Sequence, residues 1–264
     1  MAEQPLRVGI QGVPGRMGTC LIHLVRLDPD LVLGSAIGRP EHPAQGKDVG
    51  PLVGLPEVGV RLSSSLSEPV DIDVVIAFSE PIASLEIGRA CAQAGTPLVV
   101  GTTGFEPKAK AELARFAEKI PLLVSPNTSR AVNLLMKLVG EAARGLGEAD
   151  IEVVERHHRF KKDAPSGTAL RLAEIAAEAI GADRLIHGRS GATGERPRGE
   201  IGIHALRTGD NPGEHTVVFG LMGECLELTH RALNRDGFAR GAIDAAKFLV
   251  GRPPGMYGMA DLFR

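Results

Sequence analysis

The chain has 264 residues, 43% of them hydrophobic, and a formal net charge of −2. With one Tyr, eight Phe and no Trp, its core must be aliphatic, and the lack of rings and of net positive charge weighs against a nucleic-acid partner. No apolar run approaches the ~20 residues of a membrane span, so a soluble protein is expected.

Residues 6–11 (LRVGIQ) predict a strand, followed at once by Gly12-Val13-Pro14-Gly15-Arg16-Met17-Gly18. TCLIHLVRL then places Leu21, Leu24 and Val25 at helical spacing, and 31–37 is a second strand. Residues 40–66, rich in Pro, Gly and Ser, are expected to be loop with one short strand. DIDVVIAF (71–78) is a near-continuous apolar run, the mark of a parallel strand covered on both faces. Pro81 opens a helix that stops at Gly95; strand 97–101, helix 106–119 and strand 121–125 follow. This alternation predicts an α/β fold with a Rossmann-type doubly wound parallel sheet.

After Asn127 the pattern changes. A helix over 129–146 carries Val132, Leu135, Met136 and Val139 on one face. Strand 150–158 and a helix over 166–180, with Leu172, Ile175, Ala176 and Ala179 on one stripe, come next. Beyond a Gly- and Arg-rich loop (188–199), EIGIHALRT, EHTVVFGL and ECLELTHRA alternate as three successive strands, predicting a more antiparallel sheet. A last helix, 237–250, displays Phe238, Ile243, Phe248 and Leu249 and ends at Gly251. The expected domains are 1–127 with 237–264 for a dinucleotide, and 128–236, an α+β mixed-sheet domain for substrate and oligomerisation. Cys20, Cys91 and Cys225 form no framework, and the start MAEQPLRVGIQG has no apolar leader, which together point to the reducing cytoplasm.

Gly12, Gly15 and Gly18 sit between the first strand and the first helix, where helix-start amides can cradle a pyrophosphate and a Cβ would block its approach. A tight strand-to-helix turn would use the same glycines, and Pro14 cannot donate an N–H. Where a ribose-binding carboxylate is expected, the chain has Gly38-Arg39. Arg39 is either a surface side chain or the partner of a 2′-phosphate, which would favour NADPH while leaving NADH possible. Gly101-Thr102-Thr103-Gly104 and Ser125-Pro126-Asn127-Thr128 follow later strands, where ligands bind in such sheets.

VERHHRFKKDAPSGTAL (154–170) crowds Arg156, His157, His158, Arg159, Lys161 and Lys162 together with little to neutralise them. On the strand, Ile151, Val153, Glu155 and His157 share one face, and Glu152, Val154, Arg156 and His158 the other. Fully extended, His157 and Lys161 would lie ~13 Å apart, so they can share a small ligand only if the chain bends. Asp163-Ala164-Pro165-Ser166-Gly167 supplies a turn, and Ser166, Gly167 and Thr168 open the next helix as an anion site. A solvated charge run is the plain alternative. A metal site fails on ligand spacing, and a nucleic-acid patch on aromatic content. An anion pocket with an acid–base His uses every residue type present.

The motif Glu155-Arg-His157-His158-Arg159-Phe-Lys161-Lys-Asp163-Ala-Pro165-Ser166-Gly167-Thr168 resembles that of the dihydrodipicolinate reductases (4-hydroxy-tetrahydrodipicolinate reductases) of lysine and diaminopimelate synthesis. RVGIQGVPGRMG, VVGTTGF, TGERPRGEIGIHALRTGDNPGEHTV and GECLELTHRA are also similar to that family, so the resemblance runs along essentially the whole chain. It implies NAD(P)H bound through Gly12 to Met17, through Gly101, Thr102 and Thr103, and through Ser125 to Thr128, with Phe78 beside the nicotinamide. It implies that His157 donates and accepts the proton and that Lys161 is a second donor. His158 would bind the cyclic dicarboxylate, Gly167 and Thr168 would grip its carboxylate, and the second domain would build a homotetramer. A non-catalytic NAD(P) sensor, or another oxidoreductase of the same sheet type, would leave this loop unexplained. Against the family pattern, Pro14 replaces a frequent Gly, Gly38 an acid and Ala77-Phe78-Ser79 an Asp-Phe-Thr. Phe160 replaces a polar residue and is expected to pack.

Overall fold

β1 (Leu6–Gln11) runs into the glycine loop, and α1 (Arg16–Leu27) starts directly on it, at Arg16 rather than Thr19. Leu21, Leu24 and Val25 of α1 are buried, as their spacing requires. β2 (Leu31–Ile37) pairs in parallel with β1. The 40–66 stretch holds the expected short strand, β3 (Leu62–Ser63), parallel to β2, and adds α2 (Val49–Leu52), capped by the Asp48 carboxylate accepting from Gly50 N. β4 (Val74–Ala77) is buried at every position. α3 (Pro81–Ala94) begins on a proline whose missing N–H costs nothing in a first turn, and stops at Gly95 in the left-handed conformation. β5 (Leu98–Val100), α4 (Pro107–Ala117) and β6 (Pro121–Val124) continue the alternation.

α5 (Arg130–Gly145) buries Val132, Leu135 and Val139. β7 (Asp150–His157) buries Ile151, Val153, Glu155 and His157, the face predicted from its alternation. α6 (Gly167–Ile180) is capped by Ser166, whose Oγ accepts from Ala169 N. β8 (Arg184–His187), not anticipated from the sequence, precedes β9 (Glu200–Arg207), β10 (Glu214–Leu221) and β11 (Glu224–Arg231). The strand order is β11-β10-β7-β9-β8. Thus β9 and β10, successive in the chain, are not neighbours, and the sheet is mixed: β10 pairs antiparallel with β11 and β7, and β9 pairs in parallel with β7 and β8. β7 lies between them, antiparallel to β10 and parallel to β9, because its Ile151 and Val153 match apolar residues on both sides: Phe219 and Val217 on β10, Ile201 and Ile203 on β9. The 188–199 loop pins this crossover. Arg189 pairs with Glu152 and Glu200, and Arg196 with Asp150 and Glu152 while donating to the Ile151 and Glu200 carbonyls.

α7 (Asp236–Leu249) returns to the first sheet, and β12 (Gly255–Tyr257), also unanticipated, pairs with β6. That sheet has seven parallel strands in the order β12-β6-β5-β4-β1-β2-β3. The inward face of α7 is made of small residues, Ala239, Ala242, Ala245 and Ala246 with Ile243 and Leu249, while Phe238 and Phe248 are only half-buried. A large side chain has no room there: a Cβ at Gly241 would collide with the Thr128 carbonyl. The computed structural model describes residues 4–66 and 71–263 and divides into two compact units, Met1–Arg130 with Asp236–Arg264, and Ala131–Arg235. The first is a Rossmann-type doubly wound sheet; the second is an α+β mixed sheet covered by α5 and α6. Among the described residues no helix is long and apolar enough to cross a membrane.

Candidate active site

In the first unit the candidate residues gather at the carboxyl ends of β1, β2, β4, β5 and β6. Gly12 sits at φ +105, and a Cβ there would collide with the Phe78 carbonyl. A Cβ on Gly15 or Gly18 would lie 2.7 or 2.6 Å from Gly12 O. These glycines therefore let the loop close on its own backbone, as a tight strand-to-helix turn requires. Gly12 N and Val13 N both donate to Ile37 O, and Gly15 N donates to Gly12 O (2.8 Å). Pro14 has no N–H, so the donors this loop can offer an anion are the first helical amides, Arg16, Met17 and Gly18. Arg16 and Arg39 are exposed, and neither forms an ion pair among the described residues. A Cβ on Gly38 would collide with the Val13 carbonyl, so Arg39 is the first side chain past β2 that can reach a ligand.

The next two loops use part of their polarity internally. Thr102 Oγ1 accepts from Ser79 N (3.1 Å) and lies 2.6 Å from Ser84 Oγ, in a buried hydroxyl chain that ends on Gln11. Its hydroxyl is thus committed to tying β1, β4 and β5 together, and the neighbouring Thr103 is exposed. The Phe78 ring lies over Gly101, leaving no space for a Cβ. Ser125 Oγ donates to Asn127 O (2.7 Å), and Thr128 Oγ1 donates to Phe238 O (2.7 Å), fixing the loop to α7. Thr102, Thr103 and Pro126 line one apolar cleft of about 410 Å³ with Phe105 and Met256.

The second unit holds the histidine motif. β7 ends at His157, and the chain turns at once: Lys161 N donates to His158 O (3.1 Å), while Thr208 N and Arg159 N anchor the turn to His157 O and Gly209 O. The chain therefore bends directly after β7. His157 Nδ1 lies 2.6 Å from Glu155 Oε2. Glu155 is fully buried and also accepts from Arg207 Nη1 and Nη2 (2.8 Å each) and from Ser166 N (3.0 Å). Burial opposes its ionisation, but Arg207, His157 and the Ser166 amide outweigh it and hold the carboxyl below its ordinary range. His215 Nε2 contacts Ser166 Oγ (3.0 Å), and its ring meets His157 edge-on at 5.2 Å. Burial, then the positive potential of His157 and His230, push His215 down to about 3, so it is neutral.

The basic cluster is more neutralised than the sequence implies. Lys161 Nζ donates to both oxygens of Asp163 (2.9 and 2.8 Å), and Arg156 lies 3.8 Å from Glu214. Lys161 first, by hydrogen bonding, lowers the Asp163 pKa. Phe160 does not pack: it is 76% exposed, with the Arg159 guanidinium 5.9 Å from its ring. His158 is half-buried, and its Nδ1 is buried with no partner among the described residues. Ser166 is committed as a cap and as the partner of His215, while Gly167 and Thr168 form the first helical turn. Glu155, Arg207 and His215 were missed as site residues in the sequence. Glu155 carried a signal in its position two residues before His157 on the same strand face, and Arg207 and His215 in falling within the family-like stretch 193–217. No group of three or more His, Cys, Asp or Glu among the described residues could hold a metal ion.

Comparison with known proteins agrees along the whole chain. Residues 6–128 match the family model described as dihydrodipicolinate reductase, N-terminus, and 131–263 the one described as dihydrodipicolinate reductase, C-terminus. The chain is 51% identical over 261 residues to a 4-hydroxy-tetrahydrodipicolinate reductase of Anaeromyxobacter dehalogenans (strain 2CP-1), covering 97% of each chain. It is 47% identical to the protein of that name from Myxococcus xanthus, again over 97% of each. Among solved structures it is similar to a dipicolinate-bound dihydrodipicolinate reductase from Paenisporosarcina sp. TG-14, with a TM-score of 0.80 and 26% identity over 97% of this chain and 98% of that one.

Proposed function

The chain belongs to the dihydrodipicolinate reductase family, and from that premise we propose how its residues divide the NAD(P)H-dependent reduction of 4-hydroxy-tetrahydrodipicolinate to tetrahydrodipicolinate. The first domain, 1–127 with 237–264, holds the cofactor, and 128–236 holds the substrate and the oligomer contacts. The Arg16, Met17 and Gly18 amides at the start of α1 suit a pyrophosphate. Val13, Pro14, Phe78, Gly101, Thr103, Pro126 and Asn127 line the same sheet end. Exposed Arg39, with no side-chain room at Gly38, supports NADPH as the preferred donor and NADH as the weaker one. When bound, the cofactor supplies the hydride.

The observation that carries the catalytic assignment is the buried Glu155–His157 pair, set beside a bend and a helix start. His157 takes up a proton at Nε2 from solvent and passes it to the substrate, which completes the reduction. Lys161 offsets the charge that hydride addition places on a ring already carrying carboxylates, and acts as second donor. Its ammonium is shared with Asp163, so a substrate carboxylate takes over from Asp163 as its partner. His158, with an unpartnered buried Nδ1, and the Gly167–Thr168 helix start bind that dicarboxylate; Ser166 shapes the start rather than touching the ligand. The exposed edge of β11, with Leu226 and the neighbouring Met222 at the surface, supports assembly as a homotetramer. Three free cysteines fit the cytoplasm.

The test couples the purified protein to an enzymatic source of substrate and follows reduced-nicotinamide absorbance. His157→Ala and Lys161→Ala are each expected to lower kcat by ~10² or more with the fold intact. Turnover near that of the unaltered protein would remove that residue from the chemistry.

A further inference from the structure

We infer that Glu155, clamped by Arg207, is a positioning residue for this reduction: it keeps the His157 proton on Nδ1 and so makes Nε2 the atom that exchanges protons with the substrate. The inference rests on the role proposed above for His157.

Glu155 is fully buried and receives four hydrogen bonds, from His157 Nδ1, Ser166 N and both terminal nitrogens of Arg207. An ionised carboxylate can only accept, so His157 Nδ1 must be the donor in their 2.6 Å contact. Burial keeps Glu155 away from any ligand, and its influence on a reaction passes through His157. Arg207 extends the same clamp: its Nη2 also donates to Asp163 O (2.7 Å), tying the carboxylate to the turn that carries Lys161.

The other nitrogen faces a glycine. A Cβ built on Gly213 would lie 3.0 Å from His157 Nε2, and Gly213 sits at φ +151, which side chains rarely adopt. No side chain therefore covers the Nε2 edge from that direction. The charged and titratable groups around His157 are Glu155 on β7, Arg207 on β9, His215 on β10 with His230 beyond it on β11, and Lys161 in the turn. His215 is neutral, and Lys161 is paired with Asp163. Glu155 is the only one of these in hydrogen-bond contact with the imidazole among the described residues.

Substituting an amide for the carboxylate sharpens the point. Oε1 of Glu155 receives Arg207 Nη2 and Ser166 N, whereas Oε2 receives Arg207 Nη1 and His157 Nδ1. A Gln with its oxygen at the Oε1 position faces one unavoidable donor–donor conflict, with Arg207 Nη1, and can donate its NH₂ to a bare Nδ1. The opposite orientation faces two, with Arg207 Nη2 and Ser166 N. Glu155→Gln is therefore expected to turn the neutral ring into the Nε2–H tautomer, the wrong one for accepting a proton at Nε2.

Nitrogen-15 NMR of histidine-labelled protein reads the tautomer directly, and steady-state kinetics read its consequence. The unaltered protein should show His157 as Nδ1–H. Glu155→Gln should show Nε2–H, with kcat reduced ~10²-fold or more and KM for NADPH within about twofold. An Nε2–H ring in the unaltered protein overturns the inference. So does Glu155→Gln retaining Nδ1–H with kcat within about threefold, or a flipped ring with undiminished kcat. If the variant does not fold, the tautomer of the unaltered protein decides alone. His157→Ala with full kcat would remove the role of His157 while leaving the tautomer result standing, so the two failures are distinguishable.

Discussion

Arg39→Ala is the perturbation that separates the two nicotinamide cofactors. Gly38 cannot carry a side chain without striking the Val13 carbonyl, and Arg39 is exposed with no ion-pair partner among the described residues. Nothing intramolecular is lost when its guanidinium is removed, so a change in cofactor use reports the cofactor contact. A hydrogen bond to a charged group contributes about 1.5–3 kcal/mol, and exposure puts this one at the lower end. At 1.4 kcal/mol per tenfold, KM for NADPH is expected to rise about tenfold, and by no more than about a hundredfold. NADH lacks the 2′-phosphate, so its KM should stay within about twofold, and kcat with either cofactor should hold because the contact is equal in ground and transition states. The assay is reduced-nicotinamide absorbance at saturating substrate, with calorimetric titration of NADPH and NADH as a binding check. A rise below about threefold for NADPH, or an equal rise for both cofactors, would refute the reasoning.

Gly18→Ala should raise KM for NADPH about tenfold despite the ~1 kcal/mol helix preference for Ala, because its Cβ would lie 2.6 Å from Gly12 O and displace the loop. Gly145→Ala, whose Cβ meets nothing within 4 Å, is the control and should leave KM unchanged. His215 is held at about 3 against an ordinary value near 6.5, so the unfolded chain binds its proton first. Its contribution to stability is full above pH ~6.5 and is lost as pH falls toward 3, by at most about 1.4 kcal/mol per unit. His215→Phe should flatten the fall of Tm between pH 6.5 and 4.5; an unchanged slope would assign that fall to other groups. Glu152, pulled down to about 2 by Arg189, His204 and Arg196 against the opposing effect of burial, acts only below the ordinary carboxylate range. Glu152→Ala should speed tryptic cleavage within 188–199 several-fold, and equal rates would show that Glu200 and Asp150 hold the loop by themselves.

The first sheet was legible because its strands are unbroken apolar runs between glycine and proline signals, as at 74–77 and 81–95. β8 and β12 were not, since four- and three-residue strands have too few positions to display a period. The inward face of β7 could be read from alternation, but not the strands beside it: pairing depends on Val153 meeting both Ile203 and Val217, which no local pattern encodes. The same holds for the site. His157, Lys161 and the helix start at Ser166 lie within one stretch and were legible together. Arg207 and His215 lie in the family-like stretch 193–217, but they join those residues only through the sheet, and no spacing there pairs them with His157. Phe160 was misjudged because burial was inferred from residue type, whereas the turn carries it outward.

The first unit is discontinuous in the chain. Its sheet receives β12 and its core receives the alanine face of α7 only after residues 131–235 have been made. The boundaries of that insert meet: Thr128 bonds Phe238 O, and Arg130 lies 3.1 Å from Asp244. On a ribosome, the mixed-sheet unit has all its strands while the nucleotide-type unit still exposes the apolar surface that α7 will cover. Domains generally mature in order from the amino end during synthesis, and here that order is inverted. The earliest-made segment is the last to be completed, and its unfinished core is the surface a nascent-chain chaperone would meet.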